Sequence, residues 1–337
     1  METSNPKKLS NPLARLFSIA GFIAIMLFVV GIVYYSTISV DYVWRWYKIP
    51  KYFVYKETII VYADSDAEVK EVKLINGKID LTIDYNNAES VTYNVPEDSF
   101  DFEEGDFISE GDKIAEYEGG WRPGLLAVGL WITLKISIIS TILGVIIGIA
   151  GGVARVSDTP FLKWTAITYV EIIRGSPLLV QIMIAYFVLG TTFNMILTMN
   201  GFSNLAPEWY GIAALSVFTG AYVIEIVRAG IESIHPGQIE AARSSGMTSF
   251  QCMLHIILPQ ALKVILPPLA GQFINLIKDS SLLGMISIRE LYKATREGIT
   301  TSLQTFELWI LCALLYLVMT FSLSMFVQYL ERRTSKK

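Results

Sequence analysis

Gly237-Gln-Ile-Glu-Ala-Ala-Arg-Ser-Ser-Gly-Met247 is a polar stretch that separates two long apolar segments of a 337-residue chain. His235-Pro236-Gly237 is suited to begin a helix, and Gly246 stands where a left-handed residue would end one. The pattern therefore predicts a helix of two turns. Because so short a helix is marginal in water by itself, another surface must hold it. The adjacent small residues Ala241 and Ala242 suit close insertion into the groove of a partner.

The composition around this stretch points to a lipid environment. The chain is 53% hydrophobic and 17% charged, with a mean hydropathy of +0.47, which is more apolar mass than one soluble core can bury. Crossing the hydrocarbon of a bilayer takes about 20 mostly apolar residues. Six windows qualify, at about residues 16–40, 124–153, 163–192, 208–230, 262–286 and 306–329.

Flanking charges orient these six windows. Lysines and arginines precede the first (Lys7, Lys8, Arg15) and follow the last (Arg332, Arg333, Lys336, Lys337), so the positive-inside rule places both termini in the cytoplasm. The 237–259 loop is then cytoplasmic, and residues 41–121 are outside. Residues 41–120 carry 19 Asp and Glu but 8 Lys and Arg, in agreement with that side. The loop with Arg289, Lys293 and Arg296 is predicted outside, against the rule.

Residues 56–118 have the pattern of a small all-β domain. Ile79, Leu81, Ile83 and Tyr85 alternate with polar residues, as in a half-buried strand. Asn76-Gly77 supplies the torsions of a tight hairpin turn.

Two similar turns follow in this insert. Glu104-Gly105-Asp106 is echoed by Glu110-Gly111-Asp112, and both resemble the glycine-aspartate turns of lipoyl-like barrel-sandwich domains. No Met-Lys pair is present in the insert, so a structural cap or docking surface is expected rather than a lipoyl or biotinyl carrier. Four carboxylates here could bind calcium: Asp98, Asp101, Glu103 and Glu104. Their spacing does not match that of a calcium-binding loop, so no metal site is predicted.

Ionisable and polar groups also fall within the predicted spans. Pro177 frees a backbone carbonyl near position 173, beside Gly175. The groups concerned are Glu171, Arg174, Ser176, Glu225, Arg228, Lys278, Asp279 and Ser280. Charges at such depth cost a few kcal/mol and normally face a bundle interior or a pathway. They either line a path for a polar solute or serve as structural partners of one another. Gly144, Gly148 and Gly152 are spaced for close helix packing.

The polar stretch and its sequel have the full pattern of a known motif. The pattern is Glu-Ala-Ala, three residues, Gly, nine residues, Ile, one residue, Leu-Pro. Its fixed positions are filled by Glu240, Ala241, Ala242, Gly246, Ile256, Leu258 and Pro259. This resembles the EAA loop of ATP-binding-cassette importer permeases. Residues 171–181, 221–230 and 278–282 resemble the polar amino acid subfamily in particular.

The resemblance implies a fold, a function and partners. It covers a core of five helices at about 122–333. Before this core come residues 1–40, with the first span, and an insert at 41–121. The expected fold class is an all-α multi-pass membrane protein with a small all-β insert. Within the core, the 237–259 loop with Gly237 at its start would form the coupling helix. A separate ATP-binding subunit would bind ATP and magnesium. The inner-membrane complex, in contact with lipid, would also contain a second permease copy, identical or paralogous, and an extracytoplasmic solute-binding protein.

The residues exclude other chemistries. The chain lacks the G-x-x-x-x-G-K-[ST] phosphate loop, so it is not itself a P-loop ATPase. His235 and His255 have no nucleophile and acid around them in sequence, and no catalytic residue, bound cofactor or nucleic-acid partner is predicted. The alternatives are a secondary transporter, which needs no fixed docking helix, and a membrane-anchored sensor, which predicts a cytoplasmic output domain.

Overall fold

The computed structural model describes residues 12–75, 78–85, 90–100 and 102–334. The chain forms two units, residues 1–47 and residues 48–337. The first unit holds helix α1 (Pro12–Ile38), within which Leu16–Phe28 is a continuous apolar stretch. The expected turn at Asn76-Gly77, the carboxylate of Asp101 and the charges of both termini lie outside the described residues.

Six strands begin the second unit. They are β1 (Val54–Tyr62), β2 (Ala67–Ile75), β3 (Lys78–Tyr85), β4 (Val91–Pro96), β5 (Phe107–Ile108) and β6 (Lys113–Pro123). Strands β1 and β6 form one antiparallel sheet, and the other four form a second in the order β4-β3-β2-β5. The predicted alternation in β3 is confirmed, because Ile79, Leu81, Ile83 and Tyr85 are all buried. They share one apolar core with Ile108 and Ile114.

The two glycine-aspartate turns have one geometry. Gly105 and Gly111 adopt φ of +92° and +84°, which glycine reaches without a Cβ clash. The carboxylate of Asp106 accepts from the Glu103 N–H at 2.8 Å, and that of Asp112 accepts from the Ser109 N–H at 3.0 Å. The similarity of the two segments in sequence is therefore a similarity of structure.

Helices make up the rest of the second unit. They are α2 (Leu125–Arg155), α3 (Pro160–Arg174), α4 (Leu178–Met183), α5 (Thr191–Met199), α6 (Pro207–Glu232), α7 (Pro236–Ser244), α8 (Ser249–Cys252), α9 (Leu258–Asp279), α10 (Leu291–Ser302) and α11 (Thr305–Thr334). A π-helical turn, Ile184–Gly190, joins α4 to α5, and a second, Met253–Ile257, joins α8 to α9. A 3₁₀ segment, Ser280–Ile286, follows α9.

Five helical runs among the described residues are long and apolar enough to cross a membrane. They are Leu125–Arg155, Leu178–Met199, Pro207–Glu232, Ser249–Ile286 and Thr305–Tyr329. The predicted span at 163–192 is wrong in its bounds, because the helix ends at Arg174 and a new one starts at Leu178. Pro177 has no N–H to continue the helix, so the chain stays extended there.

Helix α6 lies at the centre of this bundle. In its most apolar window 67% of the residues are buried, against 6% for α11. The predicted glycine face of α2 packs against it: a Cβ on Gly148 would stand 2.1 Å from Cγ1 of Val223, and one on Gly152 would stand 2.5 Å from Cβ of Val227. Only glycine lets the two backbones approach so closely.

Tyr52 joins the β region to the helices. It is buried in a cluster with Leu126 and Leu291, and its hydroxyl donates to Oε1 of Gln304 at 2.9 Å. A Cβ on Gly124, where α2 begins, would stand 2.3 Å from the carbonyl carbon of Tyr52. The segment that leads into the strands thus packs against α2, α10 and α11 through Tyr52.

Candidate functional site

The predicted two-turn helix is α7, and both of its ends are capped. His235 is the N-cap, with Nδ1 accepting from the Gly237 N–H at 3.1 Å. At the other end Gly246 has φ of +82°; its N–H donates to Arg243, and that of Met247 donates to Ala242. This pair of bonds is a Schellman motif. The ends of α7 are therefore fixed before any partner binds.

One side of α7 is seated in the chain itself. Ala242 is 6% exposed in an apolar cluster with Val227, Ile257 and Ala261. Glu240 and Ala241 are exposed. The expectation that both alanines insert into a partner is therefore wrong for Ala242. Consecutive helical residues point about 100° apart, so Ala242 can face the bundle while Ala241 stays on the exposed side of α7.

The rest of the motif continues directly into a long helix. Thr248 and Gln251 form a capping box at the start of α8, and the helical run extends to Ile286. The predicted span start at about 262 is wrong, because the helical run begins at Ser249 and continues through Pro259. The π-helical turn ending at Ile257 precedes the proline, which lies in the first turn of α9, where a missing N–H is tolerated. Ile256 and Leu258 are half-buried, and Pro259 is exposed.

The interruption between α3 and α4 is closed by a residue that the sequence did not single out. Gln181 donates from Nε2 to the carbonyl of Ile173 at 2.7 Å and to Oγ of Ser176 at 2.9 Å. The carbonyl freed by Pro177 thus receives a side-chain donor. A glutamine one turn beyond a helix-breaking proline is the signal that could have identified it.

Three of the predicted polar groups meet at one cavity. Arg174 and Glu225 line a space of about 410 Å³ together with Arg228 and Pro268. The guanidinium of Arg174 lies 5.1 Å from the ring centroid of Tyr222, within cation–π range. Glu171 is exposed on α3 and is not among the residues lining this cavity.

Glu225 belongs to a chain of ion pairs. Oε1 lies 2.9 Å from Nε of Arg155, and Oε2 lies 3.1 Å from Nη2 of Arg228. Arg228 in turn reaches Glu232 at 2.5 Å. Glu225 and Arg228 therefore have structural partners, and Arg155 is one that the sequence did not identify.

Lys278, Asp279 and Ser280 lie apart from that cavity. Lys278 is exposed, Asp279 is half-buried and Ser280 is buried. The Ser280 hydroxyl donates to the carbonyl of Ile277 at 2.8 Å, so it is occupied by its own helix. The structure does not bring this group to Arg174 or Glu225 at the 410 Å³ cavity.

Glu290, in the loop with Arg289, Lys293 and Arg296, is a buried carboxylate. It caps α10, accepting from the N–H groups of Tyr292 and Lys293 at 2.7 and 2.8 Å and from the Tyr316 hydroxyl at 2.9 Å. Burial raises the pKa of Glu290 to about 7, although these hydrogen bonds lower it. The neighbouring Arg289 does not pair with Glu290. Its Nε lies 2.7 Å from the carboxylate of Glu297.

Metal-binding chemistry finds no support in the described ranges. No group of three or more His, Cys, Asp or Glu there could hold a metal ion. Glu104 accepts instead from the Val72 N–H at 3.1 Å. His255 bonds through Nδ1 to the Gln251 carbonyl at 3.0 Å. These groups have structural partners.

Comparison with known proteins agrees with the helical part. Residues 125–336 match the family model "Binding-protein-dependent transport system inner membrane component". Over 208 residues the chain is 42% identical to the probable glutamine ABC transporter permease protein GlnM of Bacillus subtilis, a match that covers 62% of this chain and 92% of the relative. Over 209 residues it is 35% identical to the glutamine transport system permease protein GlnP of Escherichia coli, covering 62% and 92%.

A solved structure has the same helical architecture. It is described as the crystal structure of an amino acid ABC transporter with histidines, and it matches with a TM-score of 0.54 and 36% identity, covering 62% of this chain and 94% of that one. With the family model spanning α2 to α11, this chain belongs to the inner-membrane permease components of binding-protein-dependent transport systems.

Proposed function

We propose that this permease forms the translocation path for polar amino acids and couples it, through α7, to a separate ATPase. The observation that carries the proposal is the geometry of α7, which is capped at both ends. It presents Glu240 and Ala241 outward while Ala242 is fixed among residues of α6 and α9. A force applied to the exposed side is thus transmitted to two candidate membrane-spanning helices.

The substrate class rests on relatives and on polar groups. Two relatives are named for glutamine transport and one solved structure for an amino acid transporter. The cavity beside Arg174 and Glu225 offers charges of both signs, which suits a zwitterion. Lys278, Asp279 and Ser280, with Glu171 and Ser176, are further candidates for the path. The likenesses support neither a secondary transporter nor a membrane-anchored sensor.

The proposed complex has several components. ATP and magnesium would bind in the partner ATPase, so this chain would bind no cofactor and catalyse no hydrolysis. Helix α11, with 6% of its apolar window buried, leaves a large apolar surface for lipid or for a second permease, identical or paralogous. Helix α1 would be a sixth span, with both termini cytoplasmic.

The strand region would lie outside and meet a solute-binding protein. Its acidic character and its packed attachment through Tyr52 suit a docking surface that transmits binding to α10 and α11. The matched turns at Gly105 and Gly111 support the proposed likeness to barrel-sandwich domains.

The test is reconstitution of the permease with its ATPase in liposomes. Glu240→Lys should abolish co-purification of the ATPase and ATP-dependent glutamine uptake, because it reverses an exposed charge on the docking side of α7. Glu97→Lys, a reversal of an equally exposed carboxylate in the strand region, is the control and should retain the ATPase. Normal co-purification and uptake in Glu240→Lys would refute the role of α7.

A further inference from the structure

A cavity of about 840 Å³ lies between the ends of α2 and α6 and the short helices α7 and α8. Its lining combines apolar side chains, among them Ile239 and Met253, with basic ones. Arg155 comes from the end of α2, Lys163 from α3 and Arg243 from α7. Residues far apart in the sequence therefore bring cations to one apolar space.

The charges on this lining do not cancel. Lys163 and Arg243 form no ion pair with any residue in the described ranges. The lining carboxylates are Asp158, which is exposed, and Glu232, which is engaged by Arg228 at 2.5 Å. The cavity is thus short of negative charge.

Arg155, which lines the cavity, is a largely buried cation. Its side chain is 16% exposed, and Nε is taken by Glu225 at 2.9 Å. Its Nη1 is buried and has no hydrogen-bond partner among the described residues. Arg155 therefore contributes positive charge to the lining of this cavity.

The cavity lies at the level where two candidate spans end. Arg155 is the last residue of α2 and Glu232 the last of α6. Phe161 and Trp164, at the start of α3, are 75% and 65% exposed, and aromatic residues of this kind favour the boundary between hydrocarbon and headgroups. Basic pockets between membrane helices at that level suit lipid phosphates.

We propose that this cavity binds the phosphate headgroup of an anionic phospholipid. Lys163 and Arg243 bind the phosphate, Arg155 adds a third positive charge to the lining, and the apolar side chains accommodate the glycerol backbone and the first acyl carbons. Because Arg243 belongs to α7 while Lys163 and Arg155 belong to α3 and α2, the lipid ties the proposed coupling helix to the bundle. The binding itself does not depend on the proposed function.

The experiment uses the full chain in nanodiscs of phosphatidylcholine, with phosphatidylglycerol added in increasing proportion and thermal unfolding as the readout. The wild type should gain stability at low proportions of phosphatidylglycerol. In the Lys163→Gln/Arg243→Gln double variant the proportion needed should rise roughly 10- to 30-fold, since each cation contributes about a five-fold factor. Both residues are exposed, so the variant should unfold normally in phosphatidylcholine alone.

Two controls separate the outcomes. The charge-conserving variant Lys163→Arg/Arg243→Lys should keep the response, and so should Arg296→Gln, which removes an exposed arginine on α10 that does not line this cavity. An unchanged response in the glutamine double variant would overturn the proposal. Soluble sn-glycerol 3-phosphate, added to the protein in phosphatidylcholine nanodiscs, should not stabilise it. Stabilisation equal to that by phosphatidylglycerol would show that the site binds a soluble phosphate, and it would overturn the lipid proposal.

Discussion

Nε of Arg155, at the end of α2, lies 2.9 Å from Oε1 of Glu225, which is about two turns before the end of α6. The side chains are 16% and 20% exposed, so the pair is largely removed from solvent. It joins the two helices whose glycine-lined contact forms the centre of the bundle.

Removing one partner of this pair should destabilise the protein. Glu225→Ala leaves Arg155 and Arg228 without their shared carboxylate, and we expect a loss of about 2 kcal/mol in the free energy of unfolding. A double-mutant cycle with Arg155→Met, read by thermal unfolding, should give a coupling energy above about 1 kcal/mol. Strict additivity of the two changes would contradict a structural role.

The close approach of α2 to α6 predicts a sharp steric effect. Gly148→Ala places a Cβ 2.1 Å from Cγ1 of Val223, and overpacking of this kind costs about 1–3 kcal/mol. Gly271→Ala on α9 is the matched control, since a Cβ there meets nothing within 4 Å. Thermal unfolding should show a loss for Gly148→Ala only, with partial recovery when Val223→Ala is added.

The left-handed residue that ends α7 predicts an effect on coupling. Gly246→Ala forces a Cβ into φ of +82°, at a cost of about 1–2 kcal/mol, and should shift α7 relative to its seat. We expect lower uptake per ATP hydrolysed in reconstituted complexes. Gly201→Ala bears comparable strain at φ of +78° in the loop before α6, and it should lose stability without losing coupling.

Burial of Glu290 predicts a pH dependence of stability. Its folded-state pKa of about 7 is above the ordinary value of 4.5, so the folded protein binds more protons than the unfolded chain between these values. Stability should therefore decrease as pH rises from about 4.5 to 7 and level off above. The contribution is up to about 3 kcal/mol.

Glu290→Gln keeps an oxygen that can cap α10 but removes the titration. The decrease in melting temperature between pH 5 and pH 8 should become smaller in this variant. Glu297→Gln, which removes a partly exposed carboxylate paired with Arg289, should leave that decrease in place. An identical pH profile for wild type and Glu290→Gln would show that another group titrates.

The bonds of Gln181 predict a role in holding the break between α3 and α4. Gln181→Met has a similar volume but cannot donate to Ile173 or Ser176. We expect a loss of about 1–3 kcal/mol from the unpaired carbonyl, measured by thermal unfolding. A matched change at an exposed amide, Gln238→Met, should be nearly neutral.

The sequence by itself determined those features that depend on neighbouring residues. The caps of α7 at His235 and Gly246, the alternation in β3 and the turns at Gly105 and Gly111 follow from local torsions and periodicity. The apolar windows follow from the length needed to cross a bilayer. The motif from Glu240 to Pro259 also indicated the family.

Only the tertiary structure decided which distant residues meet. Arg155 and Glu225 are 70 positions apart, so no local pattern pairs them. Three other outcomes depend on which neighbouring groups supply contacts and hydrogen bonds. They are the burial of Ala242 rather than Ala241, the continuation of the helix through Pro259, and the closure of the break by Gln181. These outcomes depend on packing between α2, α6 and α9. The same packing brings Glu225 to Arg155, and no local pattern in the sequence encodes that contact.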